Sequence, residues 1–395
     1  MSGTLSNIYN NASFALQLHA REMASLQEQA STGAQINRVS DSPSTAYQIL
    51  GLNCQQRSLE NYIDNLSEMV SMLGVTSTIV ERMRPLLAET KTRLTQITSG
   101  TYSEDGRQRV AEGINDILEE MVSLANTKHT NQYLFGGSNA TSPPYIVERT
   151  GGKITRVTYR GSSDSRSIEV APGLESSALY VGDEIFRSSN RSAPIFQGDT
   201  GAKAGTGTSS VTGDTWLTVA HDGSNYRLSI DDGASYVTVP TGGNPNQAVT
   251  DSRTGKILYV DSTGINSTGT EMVSVPGTYD IFGVLISVRD ILQNERGFST
   301  TQLQKLVDTS LNSLDEVGNL MLQTSVAVGS KIGFLGNLQD GLKNRKYDTE
   351  DEVTGLQQAD IAQIAIDLSR REMLYQMSLS VAGKLMSMSL LDFIE

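Results

Sequence analysis

Apolar residues recur at helical intervals from the start of the chain. Residues 4–32 contain no Gly or Pro, and their apolar positions line one broad stripe. This pattern predicts an amphipathic helix that ends at Thr32 and Gly33. Residues 37–44 are rich in side chains that accept local hydrogen bonds, which predicts a turn, and the next helix is expected to begin close to Pro43.

Two further helices are predicted after this turn. Residues 45–98 keep apolar side chains at spacings of three, four or multiples of these, and Pro85 is expected to kink the helix. The pattern breaks at residues 100–102 and resumes over residues 107–134, where we predict a third helix. The N-terminal third of the chain is therefore expected to be helical.

The character of the sequence changes near Tyr145. Residues 151–275 hold 17 of the 36 glycines, and residues 153–159 alternate with the period of two that is typical of a strand. Residues 226–239 contain two such runs separated by a turn at Asp231, Asp232 and Gly233, which predicts a β-hairpin. We expect a compact β module inserted between two helical halves.

Helical spacing returns at about Phe282 and continues to the end of the chain. Residues 356–382 contain no Gly or Pro, and their apolar positions fall in a heptad-like seam. Isolated helices of this length are marginal in water. We therefore expect both ends to be mobile in the free subunit and to order against neighbouring molecules. An ordinary coiled coil within one chain is the alternative.

The predicted fold class is α+β and elongated, with the terminal helices packed as an antiparallel bundle or coiled coil and an all-β domain inserted between them. Three parts are expected. Residues 1–36 with 356–395 form the terminal helices, residues 37–144 with 280–355 form a helical bundle, and residues 145–279 form the β domain. The apolar positions of the terminal helices give the predicted assembly face: Leu5, Ile8, Ala12, Ala15, Leu26, Ile361, Leu368, Tyr375, Leu379, Ala382, Met386 and Phe393.

Composition narrows the function classes. The formal net charge is −13, which argues against nucleic-acid binding because that function needs a concentrated basic face. The single cysteine, Cys54, cannot form a disulfide within the chain. Residues 1–7 lack the basic and apolar regions of a cleavable signal peptide, and residues 373–391 are too polar to insert in a membrane. These features suit a cytoplasmic protein or one exported by a dedicated apparatus.

No catalytic, cofactor or metal site is predicted. The three histidines have no metal-ligand spacing. Residues 201–210 are rich in glycine and serine but lack the lysine of a phosphate-binding loop, so a flexible loop is predicted there. Asp231 and Asp232 lack the alternating acidic ligands of a calcium loop. The methionines Met373, Met377, Met386 and Met388 suit either an adaptable contact surface or, more commonly, a packed helix face.

Several short motifs resemble the bacterial flagellin superfamily. Residues 31–38 with Asn37 and Arg38, followed by Asp41 and Pro43, are similar to its N-terminal signature, although Ser42 replaces a second Asp. Within the superfamily, the run Tyr133, Leu134, Phe135, Gly136 and Gly137 resembles the family of hook–filament junction proteins. The sequence at 159–161 and 182–186 and the ending at 389–394 are also similar to that family, whereas residues 187–275 have no counterpart.

The resemblance implies a structural role without enzymatic activity. Such proteins leave the cell through the flagellar type III export channel and assemble between hook and filament. The implied partners are further copies of the chain, a neighbouring junction protein, flagellin and an export chaperone. The alternatives are flagellin itself, against which residues 133–137 argue, and more distantly a secreted adhesin or effector that binds through its β domain.

Overall fold

The structure is a computed structural model and describes residues 2–99, 103–177 and 180–394, with side chains described at residues 10–97, 103–177 and 180–384. The predicted break at residues 100–102 lies outside the described residues. The helices of the described part are α1 (Ser2–Thr32), α2 (Pro43–Ser99), α3 (Glu104–Ala125), α4 (Gly182–Phe186), α5 (Ile281–Gln293), α6 (Thr300–Gln357) and α7 (Ile361–Ile394).

Short strands occupy the middle of the chain. They are β1 (Lys128–His129), β2 (Gln132–Tyr133), β3 (Tyr145–Thr150), β4 (Lys153–Tyr159), β5 (Ser167–Ala171), β6 (Leu174–Ser177), β7 (Ile195–Gln197), β8 (Lys203–Ala204), β9 (Gly213–His221), β10 (Tyr226–Ser229), β11 (Val237–Thr238), β12 (Gln247–Thr250), β13 (Ile257–Asp261) and β14 (Gly269–Val275). Helices at both ends and strands between them confirm the predicted α+β class.

Two local predictions are wrong. The third helix, predicted to reach Leu134, ends at Ala125, where the side chain of the next residue, Asn126, bonds to both backbone groups of Tyr145. The chain then turns back between β1 and β2 at Thr130 and Asn131, which adopt positive φ angles. Residues 201–210, predicted as a flexible loop, contain β8, which pairs with β13. The helix α2 continues through Pro85 as one helix, and the kink expected at Pro85 stays a prediction.

The chain forms two compact units. The first comprises residues 1–64 and 338–395, and here α1 packs along α7. The residues that follow α1 also form backbone hydrogen bonds with the residues that precede α7. Ala34 and Gln358 form an antiparallel bridge, the Gln35 N–H donates to the Gln357 carbonyl at 2.7 Å, and the Ala359 N–H donates to the Gly33 carbonyl at 3.0 Å. These bonds place the end of α1 beside the start of α7.

The first part of α2 lies antiparallel to the last part of α6 within the same unit. Gln56 donates to Glu350 at 2.9 Å, Lys346 pairs with Glu60 at 3.1 Å, and Gln339 donates to a backbone carbonyl at residue 63 at 3.3 Å. Few apolar side chains are buried among the described residues of this unit. They are Ile49, Leu59, Leu342, Ala359 and Ile364. Its core is therefore thin.

The second unit, residues 65–337, holds a larger helical core. Its fully buried side chains come from α2, α3 and α6 and include Leu66, Met69, Leu73, Met83, Leu94, Ile114, Leu118, Met121, Val317, Met321 and Val328. Arg289 on α5 is only 2% exposed. It donates to Asn115 on α3 at 2.9 Å and to the Ile154 carbonyl on β4 at 2.6 Å, and so ties three elements together.

The β module of the second unit contains a five-stranded sheet, in the order β11-β10-β9-β14-β7, and a three-stranded sheet, in the order β12-β13-β8. Apolar side chains from both sheets form one core. The predicted hairpin at residues 226–239 is present, with Leu228 paired to Val237. Its turn is closed by Asp231, whose buried carboxylate accepts hydrogen bonds from Ser229 and Ser235.

Candidate assembly surface

The N-terminal motif forms the turn between α1 and α2. The carboxylate of Asp41 accepts from the backbone N–H groups of Asn37 at 3.1 Å and Arg38 at 2.8 Å, and the Asp41 N–H donates to the Arg38 carbonyl at 2.9 Å. Pro43 is the first residue of α2, where its missing N–H is not needed. The Arg38 side chain reaches back to Glu28 on α1, 3.2 Å away. The motif therefore sets the path from one helix to the next.

The motif at residues 133–137 lies in the core of the second unit. Leu134 and Phe135 are buried, and the Phe135 ring packs on Phe186 with 4.8 Å between ring centroids. The Phe135 carbonyl accepts from the Tyr159 hydroxyl at 3.1 Å and from the Gly182 N–H at 3.0 Å. These bonds fix the segment against α4 and β4.

The two glycines of this motif are required by close backbone approach. A side-chain carbon on Gly136 would lie 2.2 Å from the Asn139 carbonyl oxygen. Gly137 has φ +61°, and a carbon there would lie 2.7 Å from the carbonyl oxygens of Ser162 and Asp164. The remaining motif residue, Tyr133, is half-buried beneath the Lys128 ammonium. The motif therefore builds the core of this unit.

The predicted assembly-face residues divide into three groups. Half-buried positions are Ala12, Ala15, Leu26, Leu368, Tyr375 and Ala382, and exposed positions are Ile361 and Leu379. Leu5, Ile8, Met386 and Phe393 lie outside the side chains that the structure describes. An ion pair between Glu22 on α1 and Arg371 on α7 joins the two helices. Half-burial on facing helices is the pattern of a two-helix pair without further cover.

Other apolar side chains on the same two helices are exposed, and the sequence-based assembly face did not include them. Phe14 is 69% exposed and Met373 is 60% exposed. Together with Ile361 and Leu379 of the predicted assembly face, they belong to a set of exposed residues that we call the terminal apolar face. Its members are Phe14, Leu18, Ile361, Ile366, Met373, Met377, Leu379 and Val381. Exposed apolar groups of this extent mark interaction sites on soluble proteins.

Two segments of the terminal apolar face lack charged residues. Residues 10–20 and 373–383 contain no Asp, Glu, Lys or Arg. The imidazole of His19, in the first of these segments, is half-buried with Nδ1 4.0 Å from Glu22. A partner can therefore cover this end of α1 and α7 without burying an ionised carboxylate, ammonium or guanidinium, which would oppose binding.

The described residues contain neither a metal-binding cluster nor a helix suited to span a membrane. Within residues 2–99, 103–177 and 180–394, no group of three or more His, Cys, Asp or Glu side chains is arranged to hold a metal ion. None of the described helices combines the length and apolar character needed to cross a bilayer.

The chain is similar in sequence to known flagellar proteins over part of its length. Residues 5–140 match the family model of the bacterial flagellin N-terminal helical region. The flagellar hook-associated protein 3 of Escherichia coli (strain K12) is 25% identical over 41% of this chain and 49% of its own. The flagellar filament 41 kDa core protein of Borreliella burgdorferi is 26% identical over 41% of this chain and 50% of its own. The chain thus spans about half the length of these curated relatives.

A solved structure shares the architecture over a longer stretch. Flagellar hook-associated protein 3 from Legionella pneumophila aligns with a TM-score of 0.53 and 16% identity, covering 78% of this chain and 98% of that one. At this identity the likeness shows the fold. Together with the family match, it confirms the resemblance indicated by the sequence: residues 5–140 match the bacterial flagellin N-terminal helical region, and the chain shares its fold with a flagellar hook-associated protein 3.

Proposed function

We propose that this chain is a structural, non-enzymatic subunit of the bacterial flagellum that joins the hook to the filament. The terminal apolar face is the observation that supports this role. It lies on α1 and α7, it is exposed in the single subunit, and residues 10–20 and 373–383, which hold most of it, contain no Asp, Glu, Lys or Arg. Burial of such a face contributes about 25 cal/mol per Å² of apolar surface removed from water.

Assembly through this face also accounts for the thin core of the first unit. A pair of helices with one half-buried seam gains little from folding alone. Packing against neighbouring subunits would cover the exposed side of both helices. Because the covering surface would be a different part of the next molecule, the contacts would be head-to-tail and could continue along a helical lattice.

The proposal extends to organisation, location and partners. The terminal helices (residues 1–36 and 356–395) would form the inner layer of the assembly, residues 37–144 with 280–355 the next layer, and residues 145–279 the outer β domain. The chain would act outside the cell at the hook–filament junction after export. Its partners would be copies of itself, a neighbouring junction protein, flagellin and an export chaperone.

Flagellin itself is the second candidate function. The matching relatives include a filament protein as well as a hook-associated protein. The motif at residues 133–137 favours the junction, because it resembles the motif of junction proteins. A secreted adhesin or effector acting through the β domain is a more distant candidate.

Location in the flagellum separates these candidates. Immunogold labelling of a tagged chain in the source bacterium is expected to give a short band at the end of the hook, and deletion of its gene is expected to leave hooks without filaments while flagellin is still secreted. Label along the whole filament would instead identify a filament subunit. Label absent from flagella would contradict a flagellar role.

A charge placed on the terminal apolar face tests how the chain assembles. Met377→Asp is expected to abolish filament attachment because it would bury an unpaired carboxylate. The matched control is Gln376→Asp, which adds the same charge at the adjacent exposed position, outside the apolar set. Normal filaments with Met377→Asp would contradict assembly through this face.

A further inference from the structure

A second uncharged surface lies on α6 in the second unit. Its exposed positions over residues 319–337 repeat every three or four residues and therefore lie on one side of the helix. Leu322, Val326 and Phe334 are large apolar members of this side, and Val326 is 65% exposed. We call this side the α6 outer face. Exposed sides of helices normally carry charged residues, so its composition calls for an explanation.

The lack of charge extends well beyond three residues. From residue 317 to residue 339, Lys331 is the only Asp, Glu, Lys or Arg. Its side chain is half-buried, with Nζ 5.2 Å from the centre of the Tyr180 ring, and burial lowers the pKa of its ammonium. This one charge is therefore directed onto Tyr180, and the α6 outer face has no ionised side chain of its own helix.

Glycines on the α6 outer face leave open space. A side-chain carbon on Gly329 or Gly333 would meet nothing within 4 Å among the described residues. Glycine weakens a helix relative to alanine, and no described neighbour requires the missing side chain at either position. Close approach of a second helix from outside would use the space that these glycines leave.

A comparable surface lies at the start of α2 in the first unit. Residues 42–56 contain no Asp, Glu, Lys or Arg. Tyr47, which is 78% exposed, and Leu50 are large apolar side chains on this stretch, and Cys54 is exposed one to two turns further on. We call this stretch the α2 outer face. Residues 42–56 extend about 22 Å and residues 319–337 about 28 Å at 1.5 Å per residue, so the two surfaces have similar lengths.

We propose that the α6 outer face packs on the α2 outer face of a second copy of this chain. The chain carries a net charge of −13, so contact between two copies is least opposed where neither surface presents a charge. The two outer faces meet that condition. Since they are different surfaces, their contact is head-to-tail and can repeat along an assembly. This inference rests on the proposed structural function and adds a contact separate from the terminal apolar face.

Sedimentation of the purified full-length chain over a range of concentrations tests the contact. Val326→Asp is expected to weaken self-association about tenfold or more, because it would bury an unpaired carboxylate. Gln304→Asp adds the same charge at an exposed α6 position outside the face and is expected to leave association unchanged. Equal association of wild type and Val326→Asp, or a wild-type chain that stays monomeric at every concentration, would overturn the inference.

The same measurement on Met377→Asp separates this inference from the proposed function. Weaker association with Met377→Asp but not with Val326→Asp would keep assembly through the terminal apolar face and reject the α6 contact. Weaker association with both variants supports two separate contacts. Circular dichroism of each variant must match the wild type, so that loss of association is not loss of fold.

Disulfide trapping identifies the partner surface. Cys54 is the only cysteine of the chain, and Ser330→Cys places a second one on the α6 outer face, where position 330 is exposed. Mild oxidation is expected to give dimers and higher oligomers joined between positions 54 and 330, as identified by peptide mass, and adding Cys54→Ser is expected to remove them. Oligomers joined only through two copies of position 330 would overturn the pairing with α2.

Discussion

The Asp214 carboxylate on β9 accepts a hydrogen bond from the Ser287 hydroxyl on α5, with 2.8 Å between Oδ2 and Oγ. Its other oxygen accepts from the hydroxyls of Ser274 at 2.8 Å and Tyr279 at 3.2 Å. This cluster joins the β module to the helical part of the second unit. Burial raises the pKa of the Asp214 carboxyl, and the three hydroxyl donors offset only part of that effect.

Asp214→Asn is expected to reduce the pH dependence of stability. The folded-state pKa of Asp214 lies above its unfolded value, so the proton stabilises the folded state at low pH. That contribution is lost as the pH rises through the folded pKa. Asn cannot ionise, so the free energy of unfolding of the variant should rise relative to wild type between pH 4 and pH 7. Chemical denaturation at both pH values measures this difference.

Asp214→Ala serves as the control for this prediction. It removes the acceptor of three buried or half-buried hydroxyls and is expected to lower the free energy of unfolding by roughly 1–3 kcal/mol at pH 7. The same pH dependence in wild type and Asp214→Asn would contradict the assigned effect of burial.

Asp41→Ala is expected to loosen the turn between α1 and α2. The carboxylate accepts from two backbone N–H groups, at Asn37 and Arg38, and its loss should lower local stability by about 1 kcal/mol. Hydrogen exchange at these two amides should become roughly five times faster, while Asp41→Asn, which keeps an acceptor oxygen, should change them less. Unchanged exchange in Asp41→Ala would show that the turn holds without the carboxylate.

Gly137→Ala and Gly151→Ala form a matched pair. Both glycines have positive φ, +61° and +59°, but only Gly137 has backbone oxygens where a side chain would lie. Gly151→Ala should destabilise the chain by roughly 1–2 kcal/mol from its backbone conformation alone. Gly137→Ala should cost roughly 2–5 kcal/mol, because steric overlap is added. Thermal unfolding compares them, and equal losses would mean that the contacts around Gly137 relax freely.

Periodicity predicted most of the architecture. The end of α1 at Thr32 and the hairpin at residues 226–239 follow from breaker residues and from alternation. The end of α3 was missed because residues 126–134 contain no Gly or Pro to mark a helix end, although residues 126–132 are all polar. The chain turns there at Thr130 and Asn131, which adopt positive φ angles without being glycines.

The candidate surface was predicted only in part. Heptad spacing finds residues that share a side of a helix, such as Ala15 on α1 and Leu368 on α7, but not which neighbour covers that side. Phe14, Met373 and Met377 occupy positions that periodicity alone does not separate from a packed face. Their exposure depends on which sides of α1 and α7 pack together, and the pattern does not specify this. The burial of residues 133–137 was not predicted either, because the motif was interpreted only through its similarity to junction proteins.

The most direct test of assembly through the terminal helices is hydrogen exchange on the purified free chain and on the assembled form. We predict fast exchange over residues 10–32 and 361–384 in the free chain and strong protection of the same residues after assembly. Residues 65–97 and 103–125 in the second unit should be protected in both states. Strong protection of both terminal segments in the free chain, unchanged on assembly, would contradict the account and indicate a self-contained helix pair.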